Sequence, residues 1–490
     1  MQKGIAIILS LRNKTNLISL LNHYESLGLN CFFSTLILQR MKFILSIVFS
    51  FIIFFCSAQP QKLISGPWAG NVDFRSAMIW AEVSPEVKNI SVIVSETSGG
   101  AAAKTIVYKG ELGNEFNPVK IPLNGLEPNT SYTYQLIVDG KIVAKKFPQS
   151  FKTKDLWEFR KPAPDVSFLF GSCAYFNEKK YDRPGTPYGG DSSIFNVMAA
   201  TGADFNIWMG DNWYTREVDY GSVFGLKYRA SHDRATPGLQ KFMASMPQYA
   251  IWDDHDFGPN DAGGFYVLKD SSRAVFNRYW MNPSSGERNE GIYTMFSWSD
   301  ADFFLTDGRY FRSERRMKDS INGKLNAEKV MLGKKQMDWL KNSLLFSKAT
   351  FKFVVMGSQV LNPENTFECF TDYAVERKEL LDFIADYNIK GVVFLSGDRH
   401  HSEVIKLERS GKYALLDFTA SPLTAGVAKV RGEELINPYR VAGTLVEEQN
   451  FGKINITGAK GERRLTLQFI GTTGKTLCTF SVSEKELNNN

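Results

Sequence analysis

The stretch YAIWDDHDFGPND, residues 249–261, decides how the rest of the chain is read. Residues 249–252 form an apolar run with the look of a buried strand, and it empties directly into Asp253, Asp254, His255 and Asp256. Carboxylates packed together without a counter-ion repel and raise one another's pKa. A divalent or trivalent cation removes that conflict, because such cations take carboxylate oxygen and imidazole nitrogen as ligands. Taken alone, the stretch reads equally as a solvated acidic loop.

The arrangement recurs through the second part of the chain. Apolar runs at 166–170, 205–209, 303–305, 351–356 and 392–395 are followed by Gly171-Ser172-Cys173, Gly210-Asp211-Asn212-Trp213-Tyr214, Asp307-Gly308-Arg309-Tyr310, Gly357-Ser358-Gln359 and Ser396-Gly397-Asp398-Arg399-His400-His401. Helical patterns lie between them, one over 192–200 with Asp191 as the expected N-cap. In α/β sheets ligands bind beyond the carboxyl ends of the strands. The glycines there let the backbone turn sharply. Of five histidines, His255, His400 and His401 sit in these strand-end clusters, while His232 falls among polar residues of a helical pattern and is expected to be exposed.

Upstream the texture differs. From 59 to 158 short alternating runs are separated by turn signals such as Ser98-Gly99-Gly100 and Asp139-Gly140, which predicts a small β-sandwich. Residues 126–140, LEPNTSYTYQLIVDG, resemble the fibronectin type III strand that carries a tyrosine corner. This region holds no cluster of acids, His or Cys, and a positioning role is expected of it. Residues 159–164 mark the boundary, and a catalytic domain is expected over 165–485.

Residues 41–58 have the plan of a secretory signal: Met41-Lys42, an apolar run over 43–55, then Cys56-Ser57-Ala58 before a cut at Gln59. The run is too short to span a bilayer, which takes about 20 residues. Residues 1–40 are expected to be upstream sequence translated in error, and the mature protein to be periplasmic or secreted without a transmembrane helix. A lipoprotein signal using Cys56 is the rival, opposed by bulky Phe55. Cys173, Cys369 and Cys478 remain, an odd count for an oxidising compartment. The net charge of +6 sits mostly in 1–58, where Lys3, Arg12, Lys14, Arg40 and Lys42 face only Glu25. No basic run points to nucleic acid.

In order and spacing these motifs resemble the calcineurin-like metallophosphatases, in particular the alkaline phosphatase D (PhoD-like) branch. The resemblance rests on Cys173 in FGSCA, Asp211 and Tyr214 in GDNWY, Asp253 to Asp256 in DDHD, Asp398 and His400 in GDRHH, and DGRYFR at 307–312. It implies a four-layer α/β (α+β) sandwich, two β-sheets flanked by helices, preceded by a fibronectin III-like β-sandwich. It also implies a two-metal site with Asp211 as the bridge. Cys173, Tyr214 and His400 would serve a trivalent iron, and Asp254 and Asp398 a calcium, with zinc or manganese as alternatives. His401 is the alternative to His400. His255 would protonate the leaving oxygen or stabilise the phosphoryl group, Asn260 and Arg399 would contact phosphate oxygens, and Asp307 would be structural. The activity implied is hydrolysis of phosphate mono- or diesters, with a phospholipase D-type diesterase or a non-catalytic surface protein as alternatives. The partner expected is a small phosphate-ester or phospholipid substrate; oligomeric state is not legible. The charged loop over 312–332 is expected to shape or cover the site.

Overall fold

Period-two burial organises the first part of the computed structural model, which describes residues 62–488 apart from 101, 145, 365 and 366. The expected signal at 41–58 and the segment 1–40 lie outside the described residues. Strands Leu63–Gly70, Ser76–Val83 and Asn117–Asn124 pair antiparallel as one sheet. Ile90–Glu96, Lys104–Val107, Ser131–Val138, Lys141–Ile142 and Ser150–Lys152 make a second. Alternate residues of both, among them Ile79, Ile121, Val92, Tyr134 and Leu136, share one buried cluster. Asp139 and Gly140 close a two-residue hairpin with φ of 47° and 75°, the double positive φ such turns demand. The Tyr132 hydroxyl accepts from the Glu127 amide at 2.8 Å, which ties the strand back to its entry loop.

From Val166 two six-stranded sheets are built from strands such as Phe205–Met209, Phe351–Val355 and Val392–Ser396, buried on both faces, and from others such as Arg464–Gly471 that alternate. One has the order Gln248–Ile251, Phe205–Met209, Val166–Gly171, Asn450–Thr457, Arg464–Gly471, Thr476–Ser483. The other runs Thr294–Trp298, Ala301–Leu305, Phe351–Val355, Val392–Ser396, Lys412–Thr419, Glu403–Arg409. They meet face to face through aromatic side chains: the Phe168 ring lies 5.0 Å from Phe303 and 5.2 Å from Phe353 between centroids. In each sheet the ligand-bearing strands are parallel, so their carboxyl ends share one edge. At Gly397 the ends of the two sheets touch, and an added Cβ would stand 2.6 Å from Ser172 Oγ and 3.0 Å from the Met209 carbonyl. Glycine there serves close approach rather than the turn that its sequence position predicts.

The first region docks on this body through Trp80 and Glu82. Trp80 Nε1 donates to the Arg278 carbonyl at 2.9 Å, and the Tyr279 hydroxyl donates to Glu82 at 2.9 Å.

Local readings shift in four places. The helix is Ser193–Ala199 with Ser192 at the N-cap; Asp191 accepts instead from the Ser193 amide at 2.7 Å. The strand before the acidic cluster is Gln248–Ile251, and Asp254–Phe257 is a helical turn capped by Asp253 and Asp256. His232 is only one-third exposed, its Nδ1 2.8 Å from Asp233. The charged loop carries a small hairpin, Ser320–Ile321 with Lys324–Leu325, and Lys329 pairs with Asp319 at 2.7 Å.

Asp307 fastens the acidic cluster to the second sheet. Its carboxylate accepts from Trp252 Nε1 at 2.7 Å and from the Ile292, Arg309 and Tyr310 amides at 2.9 Å each. Replacing one oxygen of such a buried acceptor costs about 1–3 kcal/mol. Asp307→Asn is therefore expected to lower stability to denaturant by about that amount while bound metal, measured by elemental analysis, is unchanged. Loss of metal at unaltered stability would contradict the structural role.

Candidate metal centre

The strand ends at this shared edge bring ligand-type atoms together from four separate segments. Cys173, Asp211 and His400 form one group whose donor atoms lie within 4.8 Å of one another; Asp211, Asp254 and His255 form a second. Asp211 belongs to both. Its Oδ2 is 3.7 Å from Cys173 Sγ, and its Oδ1 accepts from the His255 amide at 3.2 Å. Tyr214 adds its hydroxyl 3.2 Å from His400 Nε2, and its ring lies 4.2 Å from that of His255.

The backbone is bent to do this. Cys173, Asp211, Asp398 and His400 have φ of 63°, 52°, 68° and 56°. Non-glycine residues seldom adopt the left-handed region, and such conformations persist where the surrounding structure holds them and cluster at functional sites.

Hydrogen bonding fixes how His400 is presented. Its Nδ1 lies 2.6 Å from the Gly426 carbonyl and 3.1 Å from the Tyr188 hydroxyl. A carbonyl only accepts, so the proton sits on Nδ1 and the Nε2 lone pair faces Tyr214, Cys173 and Asp211. His401, the alternative, turns to Glu403 instead, its Nε2 3.5 Å from the carboxylate. The structure thus brings His400 and not His401 into the group.

The four-residue cluster divides its labour. Asp253 is clamped by Arg309 at 2.5 Å, and Asp256 accepts from the Asp253 and Asn212 amides at 2.9 Å each. Only Asp254 and His255 face Asp211. Asp254 accepts from the Asp261 amide at 2.8 Å and lies 3.6 Å from Arg309. A third acidic group, Asp253, Asp254 and Glu368, is bridged by Arg309 and Arg312, both paired with Glu368.

Asp398 falls in none of these groups, but its charge is felt by the Cys173 thiol. Asn260 is exposed on the turn before Asp261. Arg399 is buried, paired with Glu434 at 2.5 Å and stacked 4.8 Å over the Phe367 ring.

Electrostatically the edge is overloaded with acid. Burial, then the charge of Asp254, holds Asp211 well above the ordinary carboxylate range. Burial pushes the Cys173 thiol up to about 12, Asp256 to about 7 and Asp398 to about 6. Asp254 is driven down, against burial, by His255 and Arg309, and Glu368 by Arg309 and Arg312. His255 Nδ1 is buried without a hydrogen-bond partner. Crowded oxygens, a thiol, an oriented imidazole and an orphaned ring nitrogen fit a site for cations, which would supply the missing positive charge.

Tyr188, Ser421 and Glu368 are not marked out by the sequence, and Arg309 is marked only as part of DGRYFR, without its role. For Ser421 a signal existed: the buried run of Lys412–Thr419 ends in Ala420-Ser421-Pro422, the same strand-end pattern with a residue that is not ligand-type. Tyr188 and Glu368 lie in loops with no such run before them.

A sheet pair with acids, imidazole and thiol at its carboxyl edge defines a candidate metal-binding site, and the family match makes the protein a phosphoric ester hydrolase. The chain belongs to the PhoD-like phosphatase family, whose pattern it matches over residues 168–468. Residues 60–156 match a domain of unknown function, DUF7800. The chain is similar to alkaline phosphatase D of Bacillus subtilis (strain 168), 22% identical over an alignment 413 residues long that covers 72% of this chain and 67% of that protein. Its fold is similar to a solved structure of PhoD, with a TM-score of 0.69 at 19% identity over 88% of this chain and 92% of the other. It also resembles the purple acid phosphatase PPD1 of yellow lupin seeds, with a TM-score of 0.59 at 12% identity over 85% and 74% of the two chains. Among the described residues no helix is long and apolar enough to cross a membrane.

The acid load predicts a pH signature of the metal-free protein. A carboxyl raised in the folded state contributes stability below its unfolded pKa and loses it as pH rises through the folded value. Asp256 at about 7, with Asp261 and Asp398 at about 6, set that window, and Asp211 and Asp253 act in the same sense. His255 and His400, lowered by burial, oppose it, since a lowered imidazole loses stability as pH falls. Five carboxyls outweigh two imidazoles. Chelator-stripped protein should therefore melt at higher temperature as pH falls from about 7 to about 6, and metal-loaded protein should not. Equal slopes for the two forms would contradict a cation at this edge.

Proposed function

We propose that the protein is an exported metal-dependent phosphoesterase that hydrolyses phosphate mono- or diesters at a two-cation site. The observation that carries the reading is the membership of Asp211 in both donor groups. In this reading Cys173, Tyr214 and His400 hold a trivalent iron, Asp254 and Asp398 a calcium, and Asp211 bridges them. The soft thiol beside phenol and imidazole supports iron on one side, and the carboxylates support a harder cation on the other. Residues 165–485 form the catalytic four-layer domain, with a fibronectin III-like sandwich over 59–158 positioning it and 41–58 as the export signal.

Two such cations, when bound, polarise the phosphoryl oxygens and acidify a water. The chain's own residues do the rest. The left-handed turns at Asp211 and His400 fix the donor directions before substrate arrives. Gly426 and Tyr188 hold the His400 ring, and Arg309 restrains Asp253 and Asp254. His255, partly open to solvent beside Tyr214, hands a proton to the leaving oxygen. Asn260 and Arg399 contact phosphate oxygens, which for Arg399 requires it to leave Glu434.

Matched aryl and alkyl esters, as mono- and diesters, test this on wild type and His255→Ala together with elemental analysis. Wild type should carry two kinds of metal and turn over. His255→Ala should keep both metals and lose roughly 100- to 10,000-fold in turnover of the alkyl ester, the usual worth of a positioned acid. The aryl ester, whose leaving group needs no proton, should suffer far less. Loss of a metal would make His255 a ligand; equal losses for both esters would make it a stabiliser of phosphoryl charge. Wild type without bound metal, and without activity when metals are added, would sink the reading.

A further inference from the structure

Cys173 is buried against two serine hydroxyls that come from different strand ends. Ser172 Oγ and Ser421 Oγ each lie 3.3 Å from its Sγ, and both serines are fully buried. The two are not equivalent. Ser421 Oγ also lies 2.9 Å from the His400 amide nitrogen. An amide N–H can only donate, so the Ser421 oxygen accepts there and its own hydrogen is free for the sulfur. Ser172 Oγ lies 3.2 Å from the Ala420 carbonyl, which can only accept and so claims that hydroxyl's hydrogen. Ser172 is then left to face the sulfur with lone pairs, and Ser421 is the directed donor.

We infer that Ser421 is a positioning residue, which donates a hydrogen bond to the Cys173 thiolate and sets its electron-donating strength towards a bound metal. The inference rests on the reading of Cys173 as a ligand. Hydrogen bonds to a ligating sulfur draw charge from it and tune the metal's potential and spectrum. One hydroxyl also ties two ligand segments together, since Ser421 reaches Cys173 with its hydrogen and the His400 backbone with its oxygen. Supports of this kind typically change metal affinity by about 10- to 100-fold when removed.

The test uses chelator-stripped full-length protein titrated with cobalt(II), read by the thiolate-to-cobalt charge-transfer band and by affinity. Wild type should show the band and Cys173→Ser should lack it. Ser421→Ala should move the band to longer wavelength, because a sulfur without a donor is more electron-rich, and weaken cobalt binding about 10- to 100-fold. Ser421→Thr, which keeps the hydroxyl, should return the band towards wild type, and Ser172→Ala should move it less than Ser421→Ala. Thr424→Val, which removes a hydroxyl bonded to the Tyr175 carbonyl at 2.9 Å in the same loop, should leave the band in place. A wild-type band unmoved by Ser421→Ala would overturn the inference and leave Cys173 as a ligand. No thiolate band in wild type would overturn both. Should Ser421→Ala not fold, the metal–sulfur stretch of the wild-type protein decides by resonance Raman: reloading in D2O should shift it, and an unshifted stretch would overturn the donor assignment.

Discussion

Mutual repulsion among desolvated carboxylates at one sheet edge is the constraint to which the rest of the structure answers. Asp211, Asp253, Asp254, Asp256 and Asp398 all follow the carboxyl ends of three parallel strands, Phe205–Met209, Gln248–Ile251 and Val392–Ser396. The chain neutralises part of this charge itself. Arg309 is fully buried between Asp253 and Glu368, and Asp256 is dispersed over two backbone amides. Buried ion pairs of this sort are weak sources of net stability but strongly destabilising when one partner is removed. Asp211 is left without such a partner, and it is the one carboxylate common to both donor groups. Charge balance and candidate chemistry thus converge on the same residue.

Around that edge the packing supplies stiffness. Edge-on contacts of Phe168 with Phe303 and Phe353 join the two sheets face to face, and Trp252, one residue before the cluster, gives its indole proton to Asp307 across from the other sheet. At the strand ends four non-glycine residues stand in left-handed conformations, which persist where the surrounding structure holds them. The N-terminal region adds a brace: Trp80 and Glu82 grip the last turn of the helix Lys269–Tyr279, whose Phe276 ring lies 5.3 Å from that of Trp252.

How much was legible follows from the kind of signal each residue carries. Strand-end clusters are visible because an apolar run stopping at Asp or His is unusual; Cys173 and Tyr214 stand out only through the motifs the family resemblance supplies, and the fold brings both beside Asp211 and His400. The roles of neighbours within a cluster were not legible. Nothing in DDHD says that Asp253 meets an arginine 56 positions away or that Asp256 caps a helical turn. Arg399, read as facing phosphate, is held by Glu434, and Asn260 stands out in solvent. Tyr188 and Glu368 arrive from loops whose paths only the tertiary fold determines. Ser421 had a readable strand before it, and its residue type concealed it.

The central claim is that Asp211 is shared by two cations at the meeting edge of the two sheets. Anomalous X-ray diffraction from metal-loaded crystals, collected at the iron edge and at a second wavelength, tests it most directly. The account predicts two peaks about 3.5–4 Å apart, the spacing of two-metal sites, with Asp211 between them, Cys173 and His400 on one side and Asp254 on the other. A single peak, or a peak among Asp253, Asp254 and Glu368 with none beside Cys173, would contradict it.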